Sequence, residues 1–398
     1  MNSLADTVSK RFEPVPPSLP LKPLLWLVWF VSVLVGGYGV YLRLTQGHLP
    51  AGYGSYVPWG LWIALYFHGV GMAGGVFVIS ALGYLLRWRG FAHERSLRLA
   101  IVLSVASIIP AFLGVFLDLG RMDRAVRIAA HPNFTSMMAF NAWMYGLYMC
   151  VAAVIFFLSY RPQTPWLRPL LCVGMLLSTM FPSQSGAFFG VVDARSYWHN
   201  PLLPVLFFTS AVTAGSALLL VVRYIVGGTS CAQNVAALRS LRNITIGGLV
   251  LYLFFEFAEI SISLWNPMSH APAVELVLFG SYWWVFWLIH LLAGGVVAFV
   301  LLVRRHQILS WAVGALLVAV TFVSARLNVL IPGQVVSELH GLQEAFYHPR
   351  LQYLYHPTAM EYYVGLFMVA VGLTIFFVGW RISQLLEATS QPSQSNTR

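Results

Sequence analysis

Apolar residues fall along this chain in ten long windows separated by short polar stretches. A helix that crosses a bilayer needs about 20 predominantly apolar residues. The windows lie at 23–45, 58–87, 97–118, 138–160, 167–190, 202–227, 243–265, 278–303, 308–330 and 359–382. They predict an all-α integral membrane protein of ten transmembrane helices, with a membrane domain over 23–382. Residues 1–22 hold Pro14, Pro16, Pro17 and Pro20 and read as a short polar tail. No signal-peptide order of charged, apolar and small-residue segments precedes the first window, which is expected to be an uncleaved anchor. Residues 383–398 read as a disordered tail.

Composition agrees with that pattern. The chain has 398 residues, 59% hydrophobic and only 9% charged, against roughly 25% charged in soluble domains. Such a chain cannot solvate its own surface, so its expected surroundings are lipid. The formal charge of +10 does not indicate nucleic acid, because the basic residues are scattered singly with no basic stripe among exposed aromatics. It reads instead as topology. The N-terminus, the even-numbered loops and the C-terminus hold 16 of the 23 Lys and Arg residues. The odd loops and their flanking helix ends hold 7, three of them at Arg121, Arg124 and Arg127. Lys and Arg are retained on the cytoplasmic side, so both termini are expected there. The odd loops at 119–137, 191–201 and 331–358, rich in aromatics, His and Pro, are expected to form a docking surface.

Several functions lose their ligands. Cys150 and Cys172 lie in predicted helices and Cys231 in a loop, with no C-x-x-C pair. An iron–sulfur cluster, a structural zinc site, a c-type haem and a disulfide framework therefore have no residues to hold them. No metal site is expected, and any iron–sulfur chemistry belongs to a partner. Gly69-Val70-Gly71-Met72-Ala73-Gly74 fits the dinucleotide fingerprint, but that motif works only between a strand and a helix. Inside an apolar helix, with Gly71 and Gly75 spaced as G-x-x-x-G, it reads as close helix packing.

Ionisable residues within spans are costly and usually functional. They are His68, Asp118, Glu256, Glu259, His290, Arg326 and Glu361. All but the two histidines lie toward the end of the odd loops, and His68 lies roughly 15 Å in from Pro58 at the helical rise. The arrangement suits a hydrophobic two-electron carrier that exchanges protons near the outer surface. A quinone needs an apolar slot, partners for its two oxygens and a titratable group, and His titrates near working pH. Structural readings stand beside this one: His68 bonded to a neighbouring helix, Asp118 paired with Arg121, and Glu256 and Glu259 paired with Arg326. Two other classes remain open. His68 and His290 are candidate axial ligands of a di-haem cytochrome b. The buried acids, with Pro110 and Pro182 as helix breaks, suit a secondary transporter or a proton-translocating protein.

Four segments resemble the NrfD/polysulfide reductase membrane-subunit family. They are Pro58-Trp59-Gly60-Leu61-Trp62-Ile63-Ala64-Leu65-Tyr66 with Gly71-Met72-Ala73-Gly74-Gly75; Asp118-Leu119-Gly120-Arg121-Met122-Asp123-Arg124 with His131-Pro132-Asn133-Phe134 and Asn141; Pro182-Ser183-Gln184-Ser185-Gly186-Ala187 running on to Ala194-Arg195 and Trp198; and Arg326-Leu327-Asn328-Val329-Leu330-Ile331-Pro332-Gly333. The helix count is most similar to the ten-helix branch of hydrogenase-2 membrane subunits and DsrP-type proteins. The resemblance implies two four-helix bundles, helices 2–5 (about 58–190) and 6–9 (about 202–330), flanked by helices 1 and 10. It implies a subunit of a periplasm-facing respiratory oxidoreductase in the bacterial inner membrane, serving anaerobic respiration. Such a subunit binds menaquinone or ubiquinone without haem. A ferredoxin-like iron–sulfur subunit would dock on the periplasmic face and lead to a catalytic subunit of molybdenum, hydrogenase or cytochrome type. Carried over by position, Trp59, Tyr66, His68, Asp118 and Asn141 would bind the quinone. His68 and Asp118 would handle its protons, with Arg121 holding Asp118 charged. Glu256, Glu259 and Arg326 would form a second proton path.

Overall fold

The computed structural model describes residues 21–161, 164–265, 271–304, 307–337, 339, 341–348 and 351–390. The N-terminal tail up to residue 20 and the last residues, 391–398, lie outside the described residues. Ten long helices among the described residues occupy the ten predicted windows: α1 (Leu21–Gln46), α2 (Leu61–Leu85), α3 (Glu94–Asp118), α4 (Met137–Leu158), α5 (Leu167–Gly190), α6 (Leu203–Gly227), α7 (Ala232–Trp265), α8 (Val285–Val303), α9 (Ile308–Val335) and α10 (Ala359–Ser390). No strand occurs among the described residues. Nine of the ten are long and apolar enough to cross a membrane. The exception, α5, matches them in length, but Ser178, Thr179, Ser183, Gln184 and Ser185 dilute its second half. The chain is an integral, multi-pass membrane protein.

The boundaries differ from expectation where polar sequence stays helical beyond the apolar window. α7 begins at Ala232 rather than 243, and α10 continues to Ser390, past the expected end at 382. A short helix, Ala271–Leu278, precedes the eighth window, within which α8 begins at Val285. The first part of α8, Val285–Val297, winds as a π-helix, a form concentrated at functional sites. α3 and α5 run unbroken through Pro110 and Pro182.

Helices α2–α5 pack on one another, and α6–α9 do likewise; α2 joins the halves by packing against α6 as well as α3 and α5. α1 pairs with α10, and both lie on the side of the first half, α10 resting on α3. Small residues on α2 make its central place possible. A Cβ on Gly75 would collide with the Ala211 carbonyl oxygen of α6, and one on Gly74 would stand 2.7 Å from the Ser178 carbonyl oxygen of α5. The glycine-rich segment is therefore a packing surface facing several helices. At the even-loop end, two arginines cap helix ends, where a cation meets the carbonyl pole: Arg98 donates to Ser159 O (3.1 Å) and Arg242 to Leu302 O (2.5 Å). Arg223 donates to Gly90 O (2.9 Å) in the turn between α2 and α3.

The α2–α6 crossing makes a direct prediction. Gly75→Val should destabilise the fold at the upper end of the roughly 1–3 kcal/mol that overpacking costs. Gly146→Val should change little, since nothing lies within 4 Å of a Cβ there. Thermal unfolding of the two variants in detergent checks the contrast.

Candidate functional site

The first polar cluster lies at the odd-loop end, where α1, α3 and α10 meet the loop before α2. Arg43, buried near the end of α1, donates to the terminal carbonyls of α3, Leu117 O (2.6 Å) and Leu119 O (2.9 Å). Its Nη2 also meets His48 Nε2 at 2.7 Å, and His48 Nδ1 meets the Tyr53 hydroxyl at 2.6 Å. The Tyr53 hydroxyl lies beside the Asp118 carboxyl. Burial first, then the Asp118 and Glu361 carboxyls, raise the Tyr53 hydroxyl above the usual phenol range, so it stays protonated and donates. Arg43 can only donate, so His48 Nε2 accepts from it and His48 Nδ1–H donates to the Tyr53 oxygen. Every donor in the relay then points toward the carboxylate. Asp118 Oδ1 is buried and has no partner among the described residues. Beside it, Glu361 accepts from Gly52 N (2.8 Å) and from the Tyr355 hydroxyl, which itself accepts from Leu61 N (2.7 Å). Burial, then Glu361, raises the Tyr355 hydroxyl in the same way.

A second seam runs through the first half. Tyr66 donates to the Tyr145 hydroxyl (3.1 Å), which meets Ser185 Oγ at 3.0 Å. Asn141, one turn before Tyr145 on α4, is buried with its Oδ1 unpartnered among the described residues. Trp59 stacks on Trp198 with centroids 6.0 Å apart and planes at 22°. Its backbone is held at both ends by Gln334: Trp59 N donates to Oε1 (3.0 Å) and Nε2 donates to Trp59 O (3.0 Å). Trp198 Nε1 donates to Val329 O (2.8 Å) and Arg195 to Gln334 O (3.2 Å). Three of the four family-like segments thus meet at the odd-loop end between the halves.

The third cluster lies in the second half. Glu256 accepts from the Tyr252 hydroxyl at Oε1 (3.0 Å) and faces His290 Nε2 at Oε2 (2.9 Å). His290 Nδ1 meets Ser324 Oγ at 3.0 Å, and Ser324 donates its one hydrogen to Thr321 O at 2.5 Å. Nδ1 therefore carries a hydrogen, and a single proton is shared between Nε2 and Glu256. Glu259 accepts from Asn200 Nδ2 at 3.4 Å. Glu256 and Glu259 line a cavity of about 20 Å³ with Tyr197 and Asn328, enough for about one water. Arg326 lies over the Phe207 ring at 3.9 Å and donates to its carbonyl (3.2 Å).

Side-chain partners correct several sequence expectations. Arg121 does not hold Asp118: it is exposed and pairs with Asp123 at 3.0 Å, and the cation near Asp118 is Arg43. Among the described residues Arg326 makes no ion pair with Glu256 or Glu259, because Glu256 is taken by Tyr252 and His290. His68 does not join Asp118. Its Nε2 meets Ala319 O of α9 at 2.7 Å, since residues 66 and 68 point to opposite sides of α2. Both ring nitrogens of His290 and Nε2 of His68 are engaged in hydrogen bonds within the protein. Trp59 and Tyr66 lie in the first half, each in the partner set given above. Sequence reasoning missed Arg43, His48, Tyr53, Gln334, Ser324 and Asn328, and gave His290 and Glu361 no specific partners. The loop before α2 offered the one usable signal, a His and a Tyr close to a span end.

The family model described as polysulphide reductase, NrfD, matches residues 51–338, from the loop before α2 through α9. A selenate reductase subunit of Mesobacillus selenatarsenatis is 26% identical over 401 residues, covering 90% of this chain and 93% of that protein. The Hdr-like menaquinol oxidoreductase integral membrane subunit of Archaeoglobus fulgidus is 25% identical, covering 84% of this chain and 87% of its own length. Protein NrfD of Escherichia coli is 25% identical over 58% of this chain and 79% of its own. Arg43, His48 and Glu361 lie outside the stretch that the family model matches.

The shared proton in the second half sets an expectation. Glu256→Ala strands His290 and the Tyr252 hydroxyl and should cost about 3–5 kcal/mol. Glu256→Gln keeps an acceptor for Tyr252 and a donor for His290 and should cost about 1 kcal/mol. Thermal unfolding of both variants at neutral pH reads the difference.

Proposed function

The chain belongs to the polysulphide reductase NrfD family, and from that membership we propose that it is the haem-free subunit through which a respiratory oxidoreductase exchanges electrons with membrane quinone. It is a membrane subunit of a multi-subunit oxidoreductase. A relative named as a menaquinol oxidoreductase subunit favours menaquinol among the quinols. The observation that carries the reading is a pair of buried acceptors without partners, Asp118 Oδ1 and Asn141 Oδ1. Both stand near the odd-loop ends of consecutive helices, and both are positions that the family resemblance singles out. A hydroquinone brings two hydroxyl donors, the groups these atoms lack.

In this reading Asn141 orients the ring and Asp118 takes the two protons in turn as the hydroquinone is oxidised. Each proton then leaves Asp118 for the odd-loop face, while the inward-pointing donors of Arg43, His48 and Tyr53 favour the ionised carboxylate between transfers. The two electrons pass to a redox centre of a docked subunit, and quinone reduction uses the same groups in reverse. His68 is assigned a structural part, fastening α2 to α9, and Glu256, Glu259 and His290 a proton-holding part in the second half. The odd-loop face is assigned to the periplasm from the bias of basic residues, with both termini cytoplasmic. That face exposes Val126, Phe134, Leu339, Phe346 and Tyr347 beside Arg121, Arg124 and Arg127, a surface suited to an iron–sulfur partner with an acidic rim.

Two tests follow from this assignment. Asp118→Asn should leave assembly intact and lower quinol-linked turnover about 10²–10⁴-fold, the usual contribution of a general acid–base, and Tyr53→Phe should lower it in the same sense. Steady-state assays with a quinol and with an artificial dye that reaches the partner directly separate this from misassembly; full quinol activity in Asp118→Asn rejects the site. Replacing Arg124 and Arg127 with Glu should reduce co-purification of the partner and weaken it further as salt falls, whereas unchanged recovery would move the docking surface elsewhere.

A further inference from the structure

A larger cavity, of about 170 Å³, lies at the odd-loop end of the second half. A water needs about 10–15 Å³ on that measure, so the space suits a molecule of several rings' width. Its walls come from α8 (Val285, Ile289), α9 (Val323, Ser324, Leu327, Asn328) and the loop and first turn of α10 (Tyr355, His356, Tyr362). It lies apart from Asp118 and Asn141, neither of which lines it. Trp284 and Tyr362, both lining residues, are 39% and 50% exposed, which opens one side to the surrounding lipid.

Two of the lining groups bear on what the cavity holds. Asn328 is buried, and its Nδ2 has no hydrogen-bond partner among the described residues; a buried amide donor left unmade costs about 1–3 kcal/mol. Ser324 connects the wall to His290 and the proton that His290 shares with Glu256. Asn328 also lines the small cavity beside Glu256 and Glu259, so its amide stands between the two spaces. No Lys or Arg is among the described lining residues, which leaves an anionic headgroup without a counter-charge. Tyr282, Trp284, Tyr355 and Tyr362 supply flat faces instead.

We propose that this cavity is a second binding site for a quinone ring, entered from lipid between α8, α9 and α10, with the Asn328 amide donating to a ring oxygen. The inference takes the ligand's class from the reading above and places a molecule where that reading does not. It is a binding site, and no electron transfer is assigned to it.

The test uses the full-length protein in detergent micelles, titrated by equilibrium dialysis with menadione, a naphthoquinone without a lipid tail. Two equivalents are expected in the unaltered chain. Val323→Trp, which fills the cavity, should reduce this to one, and Asn328→Leu should weaken one class of site at least tenfold. Asn141→Leu should remove the other equivalent. One equivalent that Asn141→Leu removes and Val323→Trp leaves untouched overturns the second site while sparing the first. One equivalent lost in Val323→Trp alone supports the second site and rejects the first. No binding in the unaltered chain overturns both. Bound phospholipid lost from Val323→Trp, with menadione binding unchanged, identifies the cavity as a lipid site and overturns the proposal. Retention of the Asn141-dependent equivalent by Val323→Trp and Asn328→Leu certifies that each has folded.

Discussion

Hydrocarbon offers no hydrogen bonds, so every polar group that these helices carry into the membrane must find its partner within the protein. The architecture follows that constraint closely. Serines and threonines along the helices bond carbonyls three or four residues back, as Thr213 does to Thr209 O and Thr245 to Leu241 O. Arginines turn to helix ends and aromatic faces: Arg98 over Tyr160, Arg223 over Phe91, Arg242 over Trp311 and Arg326 over Phe207. The buried atoms without partners among the described residues then become informative. Three are Nε atoms of Arg98, Arg223 and Arg326, each on a guanidinium bonded through another nitrogen, and one is Ser80 Oγ. The remaining three belong to the Asp118 carboxyl and the Asn141 and Asn328 amides. All three stand toward the odd-loop ends of their helices.

The same constraint explains why the acids are handled differently in the two halves. In the second half, Glu256 is closed in by Tyr252, His290 and Ser324, a network whose donors and acceptors match once a single shared proton is counted. In the first half, Asp118 lies beside Tyr53 with its Oδ1 without a partner among the described residues, and the donors behind Tyr53 run back through His48 to Arg43. A closed network stores a proton; a carboxyl with an open oxygen is free to take one. The assignment of proton transfer to Asp118 and of proton holding to Glu256 rests on that difference in connectivity rather than on residue type, since both are carboxyls near a span end.

Span positions were legible because hydropathy depends on composition over a whole window, and no single residue decides it. The ends were less so: Ala232–Asn243 and Ile382–Ser390 are polar enough to leave hydrocarbon but contain nothing that stops a helix. Of the proposed site, sequence singled out Asp118 and Asn141 but not the residues that surround them. Asp118 and Asn141 were picked by their motifs, but proximity in sequence suggested Arg121 as the counter-charge, where the chain brings Arg43 across from α1. Pairing Glu256 with Arg326 was a choice by charge alone; the fold answers it with a histidine from α8 that sequence treated as a lone residue. His68 could have been separated from Tyr66 by helical geometry, because two positions along a helix are about 200° apart. Asn328 lay inside a recognised motif, yet only its unpartnered Nδ2 in the folded chain distinguishes it from its neighbours.

The packing of the two halves limits how independently their sites can behave. α2 passes α6 at Gly75 with no room for a side chain, so the middle of the junction cannot slide or tilt without opening a gap. At the odd-loop end, Gln334 holds both the N–H and the C=O of Trp59, while also donating to Leu330 O. Asn328 stands on the same outer part of α9, and its backbone carbonyl accepts from Tyr197 (3.0 Å) as Val329 accepts from Trp198. Any shift of that end of α9 is therefore carried into the start of α2 through Gln334 and into the loop before α6 through the two aromatic residues. The Tyr66 hydroxyl follows two turns along α2, bonded to Tyr145 on the same helix as Asn141. At the proposed sites, a ligand on Asn328 and one on Asn141 would therefore stand beside helices joined through α2, with Gln334 at its start and Tyr66 two turns along.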